Sequence, residues 1–214
     1  PPPHQQEPLA FGTRPDDDRW TAFVAGTRMA FISVQADEAE YYTKIESKQE
    51  QTELAQSLPS VSDSSKSNKR EAETVARLVH TLCQLHSRSG IPFSPCKQIG
   101  IIVPFRAQIA MIRKALAERH IPDTADITID TVERYQGSQR DIIIFSTTVS
   151  RPYQLSILSE PIMTDGREID RKLNVALTRA RKQFFMTGNE TLLRNCTAYR
   201  EFLDFLSKEQ ILRL

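Results

Sequence analysis

Arg179 and Arg181 are the side chains whose type and spacing best suit them to meet an anion. A guanidinium presents a planar fork of donors that matches the oxygens of a phosphate or a carboxylate. In the run from Leu173 to Arg181, Asn174, Thr178 and Arg181 fall at i, i+4 and i+7. That spacing makes a polar stripe on a helix, with Arg179 beside it and Leu173, Ala176, Leu177 and Ala180 on the buried side. The competing reading is a solvated basic helix end, favoured by the helix dipole, and on spacing alone it is the commoner case. Gln136 and Gly137 lie between two apolar runs. Glutamine offers both a donor and an acceptor, and glycine allows a backbone shape or close approach that a side chain would block. A simple turn would also account for them. Pro104, Phe105 and Arg106 follow a third apolar run. The Phe105 ring could stack on a base or sugar, or pack beneath the next helix.

Other chemistries find little support. His80, Cys83 and His86 stand three apart on an expected helix, but such positions drift around the helix, and Cys83 neighbours an apolar face. No metal site is expected there. The chain has no Gly-x-x-x-x-Gly-Lys-Ser/Thr loop, no Gly-x-Gly-x-x-Gly and no Asp-Glu pair closing a strand. A dinucleotide-binding oxidoreductase is therefore disfavoured, and the domain alone should not hydrolyse a nucleotide. With 28 basic and 27 acidic residues, a nucleic-acid partner would have to be held by local groups rather than by a global field. Three cysteines without a Cys-x-x-Cys pair argue against a disulfide scaffold. No signal peptide or membrane span is evident, so the expectation is intracellular: cytoplasmic in a bacterium, cytoplasmic or nuclear in a eukaryote. The opening residue, Pro1, suggests a piece of a longer chain.

The elements that must position these residues alternate. Residues 1–19 read as a flexible lead-in rich in Pro, Gln and Asp. Residues 21–34 read as two short strands around Gly26, and the serine-rich stretch 57–70 reads as a loop. A helix start is expected at Asn68, with Glu71 three residues on. The helix that follows carries Val75, Leu78, Val79, Leu82 and Leu85 on one face. Strands are expected at 99–103, 127–132, 141–149 and 183–188. A helix after Phe105 presents Ile109, Ile112, Leu116 and Arg119, and the tail from Thr197 reads as a closing helix or two. The pattern implies βαβ units, a mainly parallel sheet and helices on both faces. Ligands would then be sought at the carboxyl ends of strands, after Val103, Val132, Val149 and Gly188.

Three segments, in order, carry a resemblance: IGIIVPFRAQ (99–108), TIDTVERYQGSQRDIII (128–144) and KLNVALTRARKQFFMTGN (172–189). They resemble superfamily 1 helicases of the branch that holds the RNA-decay helicase and its DNA-replication relatives. The second RecA-like domain of that family reads Pro-Tyr-x-x-Gln, then Phe-Gln-Gly-x-Glu-x-Asp, then Leu-Asn-Val-Ala-Leu-Thr-Arg-Ala. Asn-x-x-Glu-Ala at 68–72 is a familiar start for that domain. The resemblance covers roughly residues 20–195, with 196–214 as a helical extension. It implies a RecA-like, P-loop NTPase-like α/β fold that lacks the phosphate loop itself. Arg179 becomes the arginine finger, and Arg181, Gln136, Gly137 and Gln139 become ATP-side residues. Pro104, Phe105, Arg106 and Thr131 would meet single-stranded DNA or RNA. ATP with magnesium would be held mainly by a first RecA-like domain of the same parent chain. Gln139 departs from the family, where a Glu is thought to meet the ribose hydroxyls. That departure is the one feature in favour of an alternative, a degenerate helicase domain serving as a non-catalytic nucleic-acid-binding or protein-docking module.

Overall fold

A computed structural model describes residues 9, 11–34, 66–135, 139–164 and 166–214. The main elements are α1 (Arg19–Gly26), β1 (Met29–Ser33), α2 (Lys69–Arg88), β2 (Ile99–Val103), α3 (Arg106–Glu118), β3 (Thr128–Thr131) and β4 (Arg140–Ser146). After them come β5 (Pro161–Thr164), β6 (Arg167–Asp170), α4 (Arg171–Thr178), β7 (Ala180–Gly188), α5 (Thr197–Phe205) and β8 (Ile211–Arg213). Six strands form one sheet in the order β3-β2-β4-β7-β1-β8, and every pairing in it is parallel. β5 and β6 form a separate antiparallel hairpin, with Gly166 at φ +75° in its turn, where a side chain would be strained.

The expected mainly parallel α/β architecture is what the chain adopts. Its strands read as continuous apolar runs because both faces are covered. Successive side chains alternate between two cores. Ile99, Ile101, Ile142, Ile144 and Phe185 pack with the inner faces of α1, α2 and α3. Ile102, Ile143, Phe145, Phe184 and Met186 pack with Val132, Tyr135, Leu173, Ala176 and Tyr199 on the other side. The α2 stripe lands as its period requires, with Val75, Leu78, Val79, Leu82 and Leu85 fully buried. Each such side chain contributes roughly 1.5–3 kcal/mol relative to exposure. Asn68 caps α2 by accepting from Glu71 N at 3.0 Å.

Several expectations are corrected. The first of the two strands expected around Gly26 is instead helix α1, started by Asp18, whose carboxylate accepts from Thr21 N at 2.6 Å. Trp20, Val24 and Ala25 share its buried face, and Trp20 Nε1 donates to Thr81 Oγ1 of α2 at 2.8 Å. Part of the expected lead-in is packed: Phe11 is buried edge-on against His86, and Arg88 pairs with Asp17. That pairing lowers the Asp17 carboxyl to about 2. The expected helical extension ends in a strand, since β8 pairs with β1 and buries Leu212. The helix carrying the arginines stops at Thr178, so Ala180 and Arg181 belong to β7. Pairing of Arg140 with Ala180 beside β4 outcompetes another helical turn.

Candidate nucleotide-facing and strand-facing edges

The parallel sheet divides the expected site residues between its two ends. At the amino ends of β4 and β7, Arg140 N donates to Arg179 O at 3.0 Å. Arg179 caps α4, its own N–H reaching back to Ala176 O at 3.3 Å. Its side chain is half-buried, and Nε is buried with no hydrogen-bond partner. Arg181 is exposed on β7, its Nε 3.5 Å from Gln139 Oε1. Gln139 Nε2 points to Thr178 O at 3.4 Å. Thr178 Oγ1 turns back to Asn174 O at 2.9 Å, so it is spent within the helix. Gln136 and Gly137 lie outside the described residues.

At the carboxyl end, Val103 and Thr131 are register partners, which sets Pro104 and Arg106 beside Thr131. Arg106 is exposed on the first turn of α3. Thr131 is buried to 8% exposure, and its carbonyl accepts from Tyr135 N at 2.9 Å and Arg134 N at 3.1 Å. Phe105 is 6% exposed. It stands at the N-cap of α3, and little of its ring is open to stack on a base. The two ends are separated by the length of β4, about 20 Å for seven residues. Tyr135 is buried above Gly100, where a Cβ would collide with its hydroxyl.

Of the candidate residues, Thr131 thus lies at a carboxyl end and Arg179 at the opposite end of the sheet. After β4 and β7 the carboxyl end is filled from within. Glu71, fully buried, accepts from Ser146 Oγ at 2.9 Å, Thr187 Oγ1 at 2.8 Å and Thr148 N at 3.1 Å. Burial pushes its carboxyl up to about 7, against hydrogen bonds that favour the charged form. Thr148 is held at φ +62°, unusual for a β-branched residue, by this contact. Gln108, also fully buried, accepts from Asn68 N at 2.8 Å and donates to Asn68 O at 3.1 Å. Asn68 N, which a capping box would give to Glu71, goes to Gln108 and leaves the Glu71 carboxyl free to enter the sheet. The signal for both was present in Asn-x-x-Glu-Ala and Pro-Phe-x-x-Gln, but not the contact between them.

His86 is a core residue: its Nδ1 lies 2.8 Å from Leu82 O and its ring stacks on Phe93 at 3.8 Å. A cleft of about 800 Å³ beside it is lined in part by Asp17, Asp18, His80 and Cys83, and by none of the candidate residues of either edge. Its acids are engaged, Asp17 by Arg88 and Asp18 by Thr21 N. Among the described residues no group of His, Cys, Asp and Glu could hold a metal ion, and no helix is long and apolar enough to cross a membrane.

A family model described as an AAA domain matches residues 16–191, most of the chain. The chain belongs to this AAA domain family. The AAA domain is 32% identical over 155 residues to the putative helicase MOV-10 of Gallus gallus, covering 66% of this chain and 15% of that protein. It is 34% identical over 103 residues to the DNA polymerase alpha-associated DNA helicase A of Saccharomyces cerevisiae, covering 48% and 14%. It is 31% identical over 139 residues to the DNA replication ATP-dependent helicase/nuclease DNA2 of Mus musculus, covering 65% and 12%. The AAA domain is thus a helicase-family domain of the superfamily 1 branch that its three motifs resemble. It spans less than a sixth of each of these three relatives.

Proposed function

We propose that this AAA domain is the second motor domain of an ATP-dependent superfamily 1 helicase, and that Arg179 is its arginine finger. The observation that carries the reading is the state of Arg179. Arg88, Arg194 and Arg213 each hold a carboxylate. The Arg179 guanidinium has no carboxylate partner among the described residues, and its Nε, like those of Arg88 and Arg140, is buried unpaired. A buried donor left unpaired costs about 1–3 kcal/mol, so a fold that keeps one gains when an outside anion arrives. A nucleotide phosphate fits that donor set by charge and by geometry.

The phosphate loop and the magnesium-holding carboxylates would belong to a first RecA-like domain of the parent chain. Magnesium bound there would neutralise phosphate charge. From this side, Arg179 stabilises charge developing on the γ-phosphoryl oxygens when the domains close, and Arg181 adds a second cation nearby. At the other edge, Pro104, Arg106 and Thr131 face the backbone of a single strand of DNA or RNA, a contact that positions without reading sequence. Domain closure that differs between nucleotide states would move that edge along the strand.

The test is Arg179→Ala in the full-length protein. Nucleic-acid-stimulated ATP hydrolysis should fall by about 10³-fold or more, with ATP binding retained. Turnover equal to that of the wild type would remove the finger and favour the non-catalytic module.

A further inference from the structure

Gln139 stands where the family pattern has a carboxylate, and its hydrogen bonds suggest a different job. Three hydrogen bonds tie the start of β4 to the corner between α4 and β7. Gln139 Nε2 donates to Thr178 O at 3.4 Å, the Arg140 N–H donates to Arg179 O at 3.0 Å, and Arg181 Nε donates to Gln139 Oε1 at 3.5 Å. Thr178, Arg179 and Arg181 are therefore all held by two consecutive residues, Gln139 and Arg140. The carbonyl of Thr178 is one of those a helix leaves without an intrahelical partner at its end. An amide can serve it and an arginine at once, because it has a donor and an acceptor at opposite ends. A carboxylate could accept from Arg181 but would set an anion against the Thr178 carbonyl. Both ends of the Gln139 amide are thus engaged within the domain, and it has no free pair of acceptors to offer a sugar diol.

We infer that Gln139 is a positioning residue for Arg179, fixing the corner from which that arginine projects, rather than a contact for the nucleotide's sugar. The inference rests on the assignment of Arg179 as the finger. Positioning matters because the arginine acts only where its donors meet the developing charge, and a displacement of about 1 Å can cost 10²-fold in rate. Gln139 is exposed, so its truncation spares the core.

The experiment compares wild type, Gln139→Ala, Arg179→Ala and the double variant in the full-length protein, with ATP and dATP as substrates. The expected result is a kcat for Gln139→Ala lower by about 10-fold, an unchanged KM for ATP, an unchanged ATP-to-dATP ratio, and no further loss in the double variant beyond Arg179→Ala. If Gln139→Ala instead raises KM for ATP and alters the ATP-to-dATP ratio, Gln139 reads the sugar and the inference is overturned. Wild-type kinetics in Gln139→Ala overturn it as well. If Arg179→Ala alone leaves turnover intact, it is the finger assignment beneath the inference that has failed.

Discussion

At the scale of single residues, the chemistry depends on which polar groups are left over once the fold has used the rest. Thr178, expected on a polar stripe beside the arginines, is consumed by Asn174 O, and Gln108 by the backbone of Asn68. Arg179 remains without a carboxylate partner among the described residues; the motif suggested a role for it but could not show that it was left over. Glu71 shows the opposite case, a carboxyl that looked like half of a capping box and proved to be the polar centre of the sheet's carboxyl end. Its folded pKa of about 7 lies above its ordinary value of 4.5. The stability this confers is complete below about pH 4.5 and is lost as pH rises through 7. The shift corresponds to roughly 3 kcal/mol. Urea midpoints of the isolated domain between pH 5 and pH 7.5 should fall more steeply for wild type than for Glu71→Gln. Parallel slopes would show that Glu71 is ionised throughout.

At the scale of elements, the sequence told most where periodicity was long and least where two periods compete. α2 was readable because five apolar residues repeat over a twenty-residue helix with an asparagine at its start. Removing that cap with Asn68→Ala should cost about 1 kcal/mol, read as a shift in the urea midpoint. The eight-residue α1 was mistaken for a strand because Phe23 and Val24 favour strands, whereas its docking through Trp20 onto Thr81 is a tertiary contact. The α4–β7 corner was drawn as one helix because the motif runs through it; the break comes from pairing with β4, forty residues away in sequence. β8 was hidden for a similar reason. Ile211–Arg213 is too short to announce a strand, and its identity comes from lying beside β1, with Arg213 fixed to Glu190 at 2.8 Å. Deleting residues 208–214 should therefore lower the melting temperature and uncover the β1 edge, seen as increased aggregation. An unchanged melting temperature would mean that β8 is a dispensable appendage.

At the scale of the whole molecule, one sheet separates the two proposed tasks. The arginine corner lies at the amino ends of the strands and the residues proposed to face a nucleic-acid strand at the carboxyl ends. The alternation of apolar runs was enough to expect the parallel sheet, and three motifs were enough to place the family. The division of the candidate residues between opposite ends needed the register. Because this domain supplies an arginine but no phosphate loop, the isolated 214-residue chain should fold and show no ATP hydrolysis above background; measurable turnover by it would mean that a complete site exists here. The most direct test of the account uses the full-length protein and the affinity for ADP with and without aluminium fluoride, which mimics the transferring phosphoryl group. Aluminium fluoride should tighten ADP binding strongly in wild type and hardly at all in Arg179→Ala, with ADP alone bound equally by both. Equal tightening in the two proteins would contradict the assignment of Arg179 as the finger.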